Sequence, residues 1–146
     1  MPNWPPNFDD SIGSSGSPVT LGTAYAAGTT SPAISTEGHK YVGFFIYVAT
    51  KSSATRIDAQ IQVSDTGGAS DAVWASLQTE DVTAGVATLS DYELQKAGVD
   101  TMATVPALFL PITMPVRANR FFRIKLKADA GTPTVYARFS LSGGPI

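Results

Sequence analysis

The stretch Tyr41–Ala49 constrains the fold more than any other part of this sequence. Alternate residues of an extended strand point to opposite sides. Read with that period, Val42, Phe44, Ile46 and Val48 make one apolar face, and Tyr41, Phe45, Tyr47 and Ala49 make a second. A strand that is apolar on both sides needs cover on both sides. One cover is a sandwich core. The other is an N-terminal arm, a loop or a neighbouring subunit.

Three further segments alternate with one apolar face only. Ile57, Ala59, Ile61 and Val63 interleave with Arg56, Asp58, Gln60 and Gln62. Phe122, Ile124 and Leu126 interleave with Arg123, Lys125 and Lys127, and Val135, Ala137, Phe139 and Leu141 with Tyr136, Arg138 and Ser140. Each is predicted as a strand with one side on a core and one in water. Weaker strand patterns cover Val19–Ala26, Val73–Thr79, Val86–Leu94 and Thr104–Met114. The last holds Pro106 and Pro111, with Pro115 just beyond, so it belongs at a sheet edge or is interrupted. Asp91–Gly98 alternatively reads as a short helical turn capped by Gly98. Turn residues at 28–32, 50–54, 65–70 and 129–133 separate these runs. The expectation is an all-β, antiparallel sandwich of about eight strands, a jelly roll, over residues 19–146.

Residues 1–18 read differently. Ten of them are Pro, Gly or Ser, a composition that excludes a regular helix or a central strand. Yet the segment carries Trp4, Phe8 and Ile12. It is predicted as an extended arm whose apolar residues dock on something.

A chain of 146 residues fits one domain and is long enough to bury a core without staples. It has no cysteine, hence no disulfide and no thiolate chemistry. Charged residues make up only 15%, a surface suited to close protein contacts. The net charge of −2 argues against bulk attraction to nucleic acid or anionic membrane. The first residues lack the basic start and apolar run of a targeting signal, and the longest apolar run, Phe44–Ala49, is too short to span a bilayer. Production in the cytoplasm as a soluble chain is expected.

Few residues carry chemistry. His39 is the single histidine, so it has no second imidazole or thiol to work with, and a typical zinc site is excluded. Asp65-Thr66-Gly67 matches the aspartic-protease tripeptide but lacks the flanking apolar segments, and reads better as a hairpin turn. Asp65, Asp71, Glu80 and Asp81 do not follow the calcium-loop spacing. Asp91 and Glu93 would share a strand face, a pairing too common on solvated faces to signal glycoside hydrolysis. Trp74, Tyr47 and Tyr136 are candidates for stacking on sugar, as in a non-catalytic carbohydrate-binding module. No cofactor site, no metal site and no catalytic residue is expected.

The charges are segregated. Residues 65–100 hold seven acids and one base, and residues 117–138 hold six bases (Arg117, Arg120, Arg123, Lys125, Lys127, Arg138) and one acid. Three arrangements fit: cross-strand pairing inside one sandwich, self-complementary assembly of sister subunits, or docking of the basic face on an acidic protein lattice. Specific nucleic-acid binding is not expected, since no stacking aromatic shares the outward face of Arg117–Lys127.

The strand Ile57–Ser64, the following Asp65–Trp74 turn with its closing Trp, and the basic-aromatic strand and Gly-Thr turn of Arg120–Leu141 resemble small β-sandwich virion proteins of tailed bacteriophages. The resemblance covers residues 56–142. It implies a structural, non-enzymatic protein of the virion, made in the host cytoplasm. The specific role implied is a capsid decoration (cement) protein, a homo-oligomer, typically a trimer, bound to the major capsid protein lattice. A head–tail connector, tail or fibre component is the alternative. On this view Trp4, Phe8, Ile12, Tyr41, Phe45, Tyr47 and the basic residues Arg117, Arg120, Arg123, Lys125 and Lys127 bind partners.

Overall fold

A computed structural model describes residues 9–36, 39–66, 73–99, 107–115 and 121–143. These residues form two antiparallel sheets around one core, with a separate two-stranded hairpin, and the sheets do not close into a barrel. The strands are β1 (Asp9–Ile12), β2 (Val19–Thr20), β3 (Ile34–Ser35), β4 (Tyr41–Thr50), β5 (Arg56–Ser64), β6 (Ala75–Ser76), β7 (Gln78–Thr83), β8 (Val86–Asp91), β9 (Glu93–Ala97), β10 (Ala107–Pro115), β11 (Phe121–Ala128) and β12 (Thr134–Ser142). A 3-10 turn, η1 (Ala27–Thr29), precedes β3.

The first sheet runs β1-β12-β4-β10, with β2 on the same edge of β12 as β1. The second runs β3-β11-β5-β6, with β9 also on β5. The four segments with the longest period-2 patterns, β4, β5, β11 and β12, form the two central pairs. The β5–β11 register is continuous, and that of β4–β12 shifts only between Thr134 and Val135: Phe44 faces Phe139, Ile46 faces Ala137, Ile61 faces Ile124 and Ala59 faces Leu126. One apolar face of each of the four points between the sheets. Phe44, Ile46, Ile57, Phe122, Ile124, Leu126 and Val135 are fully buried there, and each such side chain stabilises by roughly 1.5–3 kcal/mol.

The proline-bearing segment forms β10 at an edge of the first sheet. Its register against β4 breaks between Phe109 and Ile112, where Pro111 has no N–H to give the ladder. The segment 104–106 lies outside the described residues. Asp91–Gly98 is not a helical turn, because β9 takes Glu93–Ala97 into a ladder with β5. Val19–Ala26 contributes only two strand residues, and the expected strand at Val73–Thr79 divides between β6 and the start of β7.

Of the arm, residues 9–18 are described. Asp9–Ile12 pair with Ala137–Phe139, and Ser14 and Ser17 exchange backbone hydrogen bonds at 3.1 Å around a turn that returns the chain to β2. Ile12, expected to grip a partner, is instead part of the chain's own core. The ladder of β1 with β12 places it there and covers backbone groups that β12 would otherwise leave open along that stretch.

One side chain ties the ends of β5 and β11. The Asp129 carboxylate accepts hydrogen bonds from the Thr55 and Arg56 amides at 3.0 and 2.9 Å and from the Thr55 hydroxyl. These donors favour the charged form and hold the carboxyl down at about 2.

Candidate interaction surface

The outward side of the second sheet is a polar layer built over β5 and β11. Arg123, Lys125 and Lys127 stand on β11 opposite Gln62, Gln60 and Asp58 on β5. Asp58 is fully buried although it points away from the core. Arg56 donates to both of its oxygens, at 2.7 and 3.0 Å, and Lys127 lies 4.0 Å away. A buried carboxylate is tolerable only with such partners.

Tyr25 lies across this layer from the loop before η1. Its hydroxyl donates to Glu93 at 2.9 Å, and its ring sits 5.3 Å from the Lys125 ammonium and 4.9 Å from that of Lys127. Burial, reinforced by the bond to Glu93, pushes the Tyr25 phenol well above its ordinary value. Burial alone would raise Glu93, but the Tyr25 hydroxyl and the Lys127 charge outweigh it and leave the carboxyl below its usual range. Lys127 completes the cluster with an ion pair to Glu93 at 3.4 Å. Part of the charge segregation is therefore internal: Lys127 of the basic strand meets Glu93 of the acidic segment.

Arg123 and Lys125 are arranged differently. Arg123 donates to Gln62 Oε1 at 2.7 Å and lies over the Trp74 ring at 4.3 Å. Burial lowers its pKa. Among the described residues, no carboxylate is in ion-pair range of either Arg123 or Lys125. The two cations line a groove of about 590 Å³ with Tyr25, Ala26, Ala27 and Pro32.

The β7–β8 hairpin leaves the opposite edge of this sheet. Its turn places Ala84 and Gly85 at φ 53° and 79°, the left-handed pair that a tight two-residue hairpin requires. At its base Asp91 accepts hydrogen bonds from Gln78 at 3.3 Å and Gln60 at 3.5 Å. Beyond that base the hairpin packs on no other named element to any extent. Register places Glu80, Val82, Ala87 and Leu89 on one face, and Val82 and Leu89 are 62% and 64% exposed. An isolated hairpin is marginal in water, so this one displays apolar surface with little support from the other described residues.

The second apolar face of β4 is partly covered. Tyr41 is exposed, and Phe45 and Tyr47 are half-buried. The Tyr47 ring stacks on Tyr136 of β12 at 4.8 Å, with the planes 9° apart. Asp10 and Arg138 form an ion pair at 3.5 Å on the β1–β12 side of the same sheet. Trp4, Phe8, Arg117 and Arg120 lie outside the described residues.

The residues considered for chemistry do not converge. Asp65 is in the turn after β5, where the Thr66 amide donates to Ser64 Oγ at 3.1 Å. Gly67 and Asp71 lie outside the described residues. Asp91 ends β8 and Glu93 opens β9, each held by its own partners. His39 follows β3, and its amide donates to the Thr36 carbonyl at 3.0 Å. Among the described residues there is no group of three or more His, Cys, Asp or Glu placed to hold a metal. Trp74 and Tyr25 offer their rings to Arg123 and to the two lysines.

The sequence reading missed Tyr25, which interacts with residues far away in the chain. It also missed the hairpin, whose one local mark is the Ala84-Gly85 turn flanked by β-branched Val82, Thr83 and Val86. No family model matches the chain, and no curated protein or solved structure matches it either.

Proposed function

We propose that the chain is a structural subunit of a tailed-phage particle, acting as a capsid decoration (cement) protein on the head. It binds the major capsid protein lattice and sister subunits, and it catalyses nothing. The observation that carries this reading is the β7–β8 hairpin. A sandwich with a core of its own displays a two-stranded element with exposed Val82 and Leu89 and, among the described residues, no extensive packing partner beyond its base. Surface of that kind marks a protein–protein contact.

Strand order adds support. Counting β1 with β2 as one strand, and leaving aside β6 and the hairpin, eight principal strands remain among the described residues. The first pairs with the eighth, the second with the seventh, the third with the sixth and the fourth with the fifth. That is the pairing of an eight-stranded jelly roll, an architecture frequent in viral shells. Fold analogy alone does not carry function, so the weight stays on the hairpin. The exposed Tyr41 and the half-buried Phe45 and Tyr47 give a second surface for a trimer contact.

Each docked copy would bury area across the seams of the lattice and stabilise the shell by mass action. Quantitative mass spectrometry of particles from the virus that encodes the chain tests the proposal. Copies on the order of hundreds per particle agree with a lattice site, while a small number set by the tail's rotational symmetry points to a connector or tail part. Absence from the particle contradicts the proposal.

A further inference from the structure

Two features of complementary character lie at opposite edges of the second sheet. The groove at the β3–β11 side presents Arg123 and Lys125 without a carboxylate among the described residues, beside Tyr25, Ala26, Ala27 and Pro32. The hairpin at the β6–β9 side presents Glu80 together with Val82, Ala87 and Leu89 on one face. The groove is cationic with apolar walls, and the hairpin face is acidic with apolar neighbours. A chain's own hairpin does not fill its own groove, because β5 separates it from β11 and the hairpin makes no extensive contact with the elements lining the groove.

We propose that the β7–β8 hairpin of one copy occupies the Tyr25–Pro32–Arg123–Lys125 groove of a second copy. Glu80 then meets the two cations, and Val82 and Leu89 cover Pro32 and the Ala26–Ala27 turn. Pairing opposite charges in a partly desolvated groove sets the register, and the apolar residues supply the burial. The contact joins two different patches, so copies can link in series or close into a ring. The inference deepens the assembly reading above and rests on it.

Sedimentation velocity on the full chain over a concentration series tests it. The wild type is expected to self-associate as concentration rises. The hairpin variant Val82→Ser/Leu89→Ser and the groove variants Lys125→Glu and Arg123→Ser are each expected to weaken association by at least about tenfold. Far-UV circular dichroism and the thermal midpoint identify any variant that has lost its fold. Lys125→Glu, at a half-exposed site, supplies the groove test should Arg123→Ser unfold. An equimolar mixture of the hairpin variant with Lys125→Glu is expected to recover a one-to-one complex, because the intact hairpin of one chain meets the intact groove of the other. A wild type that stays monomeric throughout overturns the inference, as does a folded groove variant that associates like the wild type or a mixture that stays monomeric. Incorporation into particles separates the two claims. If the hairpin variant is excluded while Lys125→Glu enters normally, the lattice is the hairpin's occupant and the second-copy inference falls alone. If the wild-type chain self-associates as described but is absent from particles, the functional reading falls alone.

Discussion

The sandwich and the β7–β8 hairpin are made of the same secondary structure under opposite conditions. In β4, β5, β11 and β12 every second residue is locked between two sheets, and backbone ladders are shared with neighbours on both sides. In the hairpin each strand has one ladder partner, and the side chains described are exposed. Strand pairing alone therefore does not explain what a strand contributes. Burial decides it, and an element that is paired but unburied is free to bury itself against something else.

The contrast can be broken by mutation. Phe44→Ala removes a fully buried ring from the centre of β4 and is expected to destabilise by about 3–5 kcal/mol, read as a fall in the urea midpoint. Asp58→Ala leaves Arg56 without its bidentate partner and weakens the hold on Lys127. Both cations can still reach water, so a loss of about 2 kcal/mol is expected, below that of a fully enclosed pair. A loss as large as that of Phe44→Ala would mean that the outer polar layer, and not the core, dominates this sheet.

The Asp129 contribution is smaller and depends on pH. Its carboxyl is held at about 2 in the folded chain, below its usual value, so the stabilisation is present above about pH 4 and fades as pH falls toward 2. Asp129→Asn should flatten that part of the stability–pH curve, and an unchanged acid limb would remove the β5–β11 tie from the account. Leu89→Ser in the hairpin is expected to change fold stability by less than about 0.5 kcal/mol, since the residue is already in water. A larger loss would show that the hairpin is held against the sandwich after all.

Legibility in the sequence follows the same division. β4, β5, β11 and β12 are readable because a long period-2 pattern and a shared core express the same constraint. The edge position of β10 is readable because proline removes ladder donors. The two-residue strands β2, β3 and β6 leave no pattern, since their partners alone define them. Ile12 joins the core through a ladder to residues more than a hundred positions away, which no local signal reports. The same applies to the surface. The basic strand and the acidic segment are plain as charge, but the bridge of Lys127 to Glu93, and the absence of such a bridge from Arg123 and Lys125 among the described residues, depend on the placement of Tyr25 and β9.

Native-state amide hydrogen exchange tests the central claim most directly, on the purified chain when dilute and when concentrated. The account predicts that amides of β4, β5, β11 and β12 exchange only through global opening at both concentrations. Those of β7 and β8 should exchange quickly when dilute and slow on association. Hairpin amides as protected as those of β4 in the dilute monomer would contradict it, because the hairpin would then be an integral part of the sandwich with nothing left to bind.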